Sequence, residues 1–113
     1  MASLLDEYHR RAVEHGEFSK DGDSRRANSA HDALQDLFVA IVKAGMGDEL
    51  FRFYDDASPW VQSWAASHTL EINEARALAK LQQLERAGIP HVSTAAKYTI
   101  QEWNTGALRF LPS

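Results

Sequence analysis

The sequence predicts an all-α protein that forms one domain of five or six helices. Apolar residues recur at spacings of three and four along most of the chain, and no segment alternates convincingly at the period of a strand. Capping residues, glycines and prolines divide this pattern into separate helices. A chain of 113 residues is long enough for one domain and too short for two, so we assign residues 1–113 to a single domain.

The first two helices are predicted to be the longest. The first runs from its N-cap, Ser3, to about Phe18, where turn-forming residues follow. Asp23 or Ser24 caps the second, which ends near Lys43 before a glycine-containing turn. The apolar residues are Leu4, Leu5, Tyr8 and Ala12 in the first helix and Ala27, Ala30, Leu34, Leu37, Phe38 and Ile41 in the second. Each helix therefore presents one face to a core.

Four shorter helices are predicted to follow. The third covers residues 48–55, the fourth begins at 58–59, the fifth covers 73–87, and the sixth runs from 90 to about 106. The fourth has the clearest start, because Ser58 is a good N-cap and Pro59 stands at the first helical position, where its missing N–H costs nothing. The inner faces are Val61, Trp64, Ala65 and His68 in the fourth helix and Val92, Ala96, Thr99, Ile100 and Trp103 in the sixth.

An internal repeat relates residues 50–70 to residues 81–101 at an offset of 31. The matched pairs are Leu50 and Leu81, Phe53 and Leu84, Pro59 and Pro90, Val61 and Val92, and Ala65 and Ala96. Each unit is a helical hairpin with one apolar face per helix, and stacked hairpins of this kind bury those faces in a short α-solenoid.

The segment Asp55–Ala66, with an acid, a proline, a valine and an alanine pair, resembles the short bacterial form of the HEAT repeat. The whole chain resembles the DUF2019 family of small bacterial proteins through this segment, Asp21–Asn28, and Ala96–Trp103 followed by Gly106. The resemblance implies a HEAT-like α–α superhelix, no established catalytic residues, and for some members an immunity role beside a bacterial toxin. Gln62 departs from the pattern, because HEAT repeats usually carry an arginine there.

The titratable residues do not form a recognisable catalytic or metal motif. The chain has no cysteine, which excludes disulfides, thiolate metal sites and a cysteine nucleophile. His31 and Asp32 are similar to the dyad of HD-type phosphohydrolases but lack its further ligands, and His15 and Glu17 match half of a zinc-deaminase motif whose cysteines are missing. No nucleophile elbow or phosphate-binding glycine loop occurs. We therefore expect no enzyme, metal or cofactor, and a hydrolase using His31 and Asp32 is the least favoured alternative.

The net charge of −4 is unevenly distributed, with a balance of −5 in residues 1–60 and +1 in residues 61–113. An acidic half repels phosphate backbones, which disfavours nucleic acid as a partner. The longest apolar run, Leu37–Val42, is far too short for a membrane span, and the first residues lack the basic region of a signal peptide. These features predict a soluble cytoplasmic protein that binds neither membranes nor nucleic acids.

The candidate partner-binding residues are Asp48, Glu49, Asp55, Asp56 and Trp60. Asp48 and Glu49 stand at the start of the third helix, where negative charge is favourable. Asp55 and Asp56 stand at its C-terminal end, where negative charge is unfavourable, and this suggests a role at the surface. Trp60 is predicted to point away from the apolar face, as an interface anchor or packed on a neighbouring loop. We therefore expect a module that binds a basic protein, such as a toxin domain. The alternative is an adaptor that forms homo-oligomers through its exposed solenoid ends.

Two arginines at the start of the second helix are a weaker candidate. Arg25 and Arg26 oppose the helix dipole, and Asn28 follows them. We favour local pairing of the arginines with Asp21 and Asp23, and the alternative is contact with a small anion or a partner.

Overall fold

The computed structural model describes residues 3–111, and this part of the chain consists of helices and turns without any strand. The α-helices are α1 (Leu4–Lys20), α2 (Ser24–Lys43), α3 (Pro59–His68), α4 (Glu74–Arg86) and α5 (Val92–Asn104), and 3₁₀ helices cover Gly47–Asp55 and Thr69–Glu71. The all-α class is thus confirmed. No helix within residues 3–111 is long and apolar enough to cross a membrane.

Side-chain caps begin the first four α-helices. Ser3 forms a capping box with Asp6 at α1, and the Asp23 carboxylate accepts a hydrogen bond from a backbone N–H in the first turn of α2. Ser58 and Asn73 cap α3 and α4 in the same way. The starts of these four helices are therefore determined locally, by residues that satisfy N–H groups the helix itself cannot.

The third predicted helix is a 3₁₀ helix, Gly47–Asp55, rather than an α-helix. Side chains three residues apart eclipse one another in a 3₁₀ helix, so Leu50 lies above Phe53 and Phe51 above Tyr54. All four are buried. The tighter winding allows this short segment to bury two adjacent rows of large side chains.

The sixth predicted helix, α5, begins later than its proline suggests. His91, directly after Pro90, has a φ of 66°, in the left-handed region that an α-helix cannot include. Ser93 then ties the joint, because its hydroxyl accepts from the Ile89 N–H at 2.8 Å and donates to the Leu84 carbonyl at 2.6 Å. The link between α4 and α5 is therefore held by one side chain.

Helix α3 lies between two helical hairpins, one formed by α1 and α2 and the other by α4 and α5, and it contacts α1, α4 and α5. The largest fully buried side chains are Tyr8, Leu34, Phe38, Ile41, Leu50, Val61, His68, Thr69, Leu70, Leu81 and Val92. The radius of gyration is 13.0 Å, close to the value of about 13 Å expected for a globular chain of this length.

Apart from the two prolines, the matched repeat positions are buried in both copies. Leu50, Leu81 and Val61 are fully buried, and Val92 is 1% exposed. The copies differ in their first helix, because the earlier copy winds as 3₁₀ and the later one as α. The HEAT-like superhelix remains a prediction.

Candidate functional site

A groove of about 190 Å³ opens between the two hairpins and α3. We call it the aromatic groove. It is lined by His15 of α1, His31 of α2, Trp60, Ser63, Trp64 and Ser67 of α3, Ala95, Thr99 and Glu102 of α5, and Leu108 and Phe110 of the C-terminal segment. It therefore brings together residues from four α-helices and from the chain segment beyond α5.

Four aromatic rings form the walls of the aromatic groove. Trp60 and Trp64 are four residues apart in α3 and so lie on one face of that helix. His15 packs edge-on against Trp64 with ring centroids 5.1 Å apart, and the Trp64 indole N–H donates to His15 Nδ1 at 3.4 Å. His31 lies 5.3 Å from Trp64, also edge-on. These contacts orient the rings before any ligand arrives.

Trp60 reaches this position because Gly16 has no side chain. A Cβ at Gly16 would overlap the Trp60 ring, at only 2.7 Å from Cδ2. Trp60 is half-buried over this glycine, whereas the sequence predicted an exposed residue at the junction of loop and helix. The ring lines both the aromatic groove and a second groove of about 270 Å³, which Lys20, Pro90 and His91 also line.

The aromatic groove contains one carboxylate and no lysine or arginine among the residues that line it. Burial lowers the pKa of His15, and the neighbouring His31 lowers it further, so the His15 imidazole is neutral at pH 7. The hydroxyls of Ser67 and Thr99 each donate to a backbone carbonyl one turn earlier, at 2.9 Å. Glu102 therefore supplies the negative charge of the groove.

A buried polar pair lies next to the aromatic groove. The hydroxyl of Tyr8 and Nδ1 of His68 are 2.6 Å apart, and the His68 ring stacks on Phe38 with centroids 4.3 Å apart. Burial lowers the pKa of His68 to about 3, with His31 adding to the effect, and raises that of Tyr8 well above its usual value. The His68 imidazole is therefore neutral, and a neutral ring is less costly to bury in the core than a charged one. His68 Nε2 is buried without a hydrogen-bond partner in residues 3–111.

The C-terminal segment closes one side of the aromatic groove. The backbone N–H groups of Phe110 and Leu111 donate to the Glu71 carboxylate, and the Gln35 side chain donates to the Phe110 carbonyl. Phe110 packs edge-on against His68, with centroids 4.6 Å apart. Two polar side chains thus hold an irregular segment in place against the core.

Three of the four predicted acidic binding residues are exposed. Asp48, Glu49 and Asp55 lie on the 3₁₀ helix Gly47–Asp55 with their side chains in solvent. Glu49 pairs with Arg52 at 3.1 Å, which reduces the local negative charge. None of the four acids lines the aromatic groove.

The fourth acid, Asp56, is engaged in the fold. Its side chain is 20% exposed, pairs with His9 Nε2 at 2.9 Å, and accepts a hydrogen bond from the Ser58 N–H at 2.9 Å. The Asp56 backbone carbonyl accepts from the Gln62 side chain at 2.6 Å. Gln62, which stands where HEAT repeats usually carry arginine, therefore secures the turn before α3. The Asp56 carboxylate is less free to meet a partner than the sequence suggested.

The polar contacts of two further candidates are local. His31 Nδ1 lies 3.7 Å from Asp32 Oδ1, and these side chains are 52% and 85% exposed. Within residues 3–111, no three histidine or acidic side chains are arranged to hold a metal ion. Arg26 lies 3.6 Å from Asp23 and over the Phe18 ring, as local pairing predicts.

Sequence reasoning missed most of the groove. The sequence presents His15 and His31 only as candidate metal ligands and Trp64 only as a core residue. Gly16 did carry a signal, because a glycine inside an amphipathic helix suggests close packing. No local pattern in the sequence indicates that Phe110 and Glu102 line a groove, because their place in it depends on how distant helices pack.

No protein-family model, curated protein or solved structure that was compared with this chain matches it. The resemblance to the DUF2019 family stays a prediction.

Proposed function

We propose that this protein is a non-enzymatic module that binds another protein through the aromatic groove. The observation that carries the proposal is the set of half-buried, mutually packed rings of Trp60, Trp64 and His15 around an open groove. Tryptophan is enriched among the residues that contribute most to protein–protein binding. Rings already held in place lose little conformational freedom on binding.

The size of the groove favours an inserted side chain over a cofactor. Its volume of about 190 Å³ lies below the range of roughly 300–1,000 Å³ typical of small-molecule sites. It corresponds to the space of about six water molecules. A groove of this size fits one or two side chains of a partner, with the surrounding surface completing the contact.

The charge distribution favours a basic partner. The net charge is −4, and Asp48, Glu49 and Asp55 are exposed. Such a surface speeds the encounter with a positively charged protein. From the family resemblance we propose, more specifically, that the partner is a basic toxin domain that this protein neutralises by covering it.

Affinity capture from the native host tests the binding function. The baits are wild type, Trp60→Ala, and Tyr98→Ala, which removes a 55% exposed aromatic residue outside the groove. We expect a protein captured by wild type and by Tyr98→Ala, and a loss of affinity of about 30-fold or more for Trp60→Ala when calorimetry is done with that partner purified. Circular dichroism checks that both variants remain folded.

Equal affinity of all three baits for the purified partner would refute the groove as the binding site. Self-association of wild type, measured by sedimentation, without any captured protein would instead favour the homo-oligomeric adaptor. The toxin proposal has its own test. Co-expression of the captured partner with wild type should restore growth, whereas co-expression with Trp60→Ala should not.

A further inference from the structure

We infer that the aromatic groove is a receptor for an arginine side chain of the partner. The inference rests on the proposed binding function and names the chemistry of the contact. It follows from three features of the groove, namely the flat walls, the charge, and the way this chain already packs guanidinium groups.

The walls of the groove suit a planar cation. His15 lies 5.9 Å from Trp60 and 5.1 Å from Trp64, with both pairs edge-to-face, and all three rings line the groove. Tryptophan faces attract cations more strongly than other aromatic rings do. A guanidinium group is flat and weakly hydrated, so it enters between rings at a lower desolvation cost than the ammonium of lysine.

The charges around the groove favour a cation. Glu102 is exposed at the groove and can accept two parallel hydrogen bonds from one guanidinium. The lowered pKa of His15 keeps that ring uncharged at pH 7. Lys20 lines the second groove and does not line the aromatic groove. A cation in the aromatic groove therefore meets a carboxylate and the uncharged rings of His15, Trp60 and Trp64, without a lysine or arginine among the lining residues.

The chain stacks its own arginines on aromatic rings elsewhere. Arg76 lies 4.2 Å from the centre of the Phe51 ring, and Arg109 lies 5.1 Å from that of Trp103. Both of these arginines are exposed. The aromatic groove offers several aromatic rings together with a carboxylate, and none of the residues that line it is an arginine.

The test is an NMR titration of the ¹⁵N-labelled protein with three blocked tripeptides, Gly-Arg-Gly, Gly-Lys-Gly and Gly-citrulline-Gly. Citrulline keeps the shape of arginine but is neutral. We expect the arginine peptide to shift the indole N–H signals of Trp60 and Trp64 while that of Trp103, which donates to Glu74, stays in place. The arginine peptide should bind at least about threefold more tightly than the citrulline peptide.

Matched variants test the role of the carboxylate. Glu102→Gln should weaken binding of the arginine peptide about fivefold. Glu85→Gln, which neutralises an exposed carboxylate on α4 outside the groove, should leave the binding unchanged. Equal shifts with arginine and citrulline, or no effect of Glu102→Gln, would overturn the inference.

The inference and the proposed function can fail separately. If Trp60→Ala loses the captured partner but the arginine peptide gives no shift, the binding function stands and the arginine inference falls. If the arginine peptide binds in the groove but the purified partner binds all baits equally, the groove recognises guanidinium and the proposed function falls.

Discussion

Gly16 determines where Trp60 can lie. The glycine is buried in the middle of α1, where alanine would be the better helix former by about 1 kcal/mol. The space that a methyl group would need is occupied by the indole ring. The lower helix propensity of Gly16 is thus offset by its contact with the Trp60 ring, which forms one wall of the aromatic groove.

Gly16→Ala should therefore destabilise the protein by about 1–3 kcal/mol, because the added methyl group forces the Trp60 ring to move. In a Trp60→Ala background the same change should become stabilising by about 1 kcal/mol, through helix propensity alone. Urea unfolding of the four variants gives both values. The same effect of Gly16→Ala in both backgrounds would show that the Trp60 ring is not the reason why a side chain at position 16 is unfavourable.

The buried pair of His68 and Tyr8 has a preferred proton arrangement. If the Tyr8 hydroxyl donates to His68 Nδ1, the proton on His68 Nε2 is left without a partner. If Nδ1 donates instead, both the Tyr8 proton and the Nε2 lone pair are left without one. The first arrangement leaves fewer unsatisfied groups and is the one that we assign.

His68 makes the fold sensitive to acid. Its pKa is about 3 in the folded chain, below its usual 6.5, so the unfolded chain takes up the proton first as the pH falls. The stability that His68 contributes is complete above pH 6.5 and is lost progressively toward pH 3, by at most about 1.4 kcal/mol per pH unit. The double variant Tyr8→Phe/His68→Leu should lose stability less steeply in urea titrations between pH 7 and pH 4.

An exposed histidine provides the control for this prediction. His91→Asn changes a solvent-exposed residue and keeps a type that tolerates positive φ. Its pH profile should run parallel to that of wild type. A double variant with the wild-type slope would contradict the assignment of this acid sensitivity to His68.

At the scale of the elements, helix starts were predictable and helix type was less so. Ser3 and Ser58 cap the helices that the sequence assigned to them, because capping depends on residues adjacent in the chain. The 3₁₀ winding of Gly47–Asp55 and the left-handed His91 depend on what packs around them. The sequence contains no local signal for either.

The joint between α4 and α5 depends on Ser93. Ser93→Ala removes one acceptor and one donor, leaving the Ile89 N–H and the Leu84 carbonyl without their side-chain partner. We expect a loss of about 1–3 kcal/mol in urea unfolding. Thr94→Ala, at the exposed neighbouring position, should change stability by less than about 0.5 kcal/mol. Equal effects of the two changes would contradict this account of the joint.

At the scale of the whole molecule, α3 is the helix that packs against both hairpins. It contributes four residues to the aromatic groove, while His15 and Trp64 come together from positions 49 residues apart. The all-α class could be predicted because periodicity is local. The groove could not, since a single sequence does not reveal which helices pack together.

Because α3 packs against both hairpins, we expect the protein to unfold in one cooperative step. Far-ultraviolet circular dichroism reports all helices, and tryptophan fluorescence reports mainly α3 and α5. Their thermal transitions should coincide. Two separated transitions would show that the hairpins unfold independently, as in a repeat array whose cooperativity has broken down.

The position of Trp60 has a mechanical consequence. One indole lines both the aromatic groove and the second groove beside Lys20 and His91. Gly16 lies against this ring, and a side chain at that position would displace it. We therefore expect a ligand that reorients the Trp60 ring in one groove to change the shape of the other groove as well.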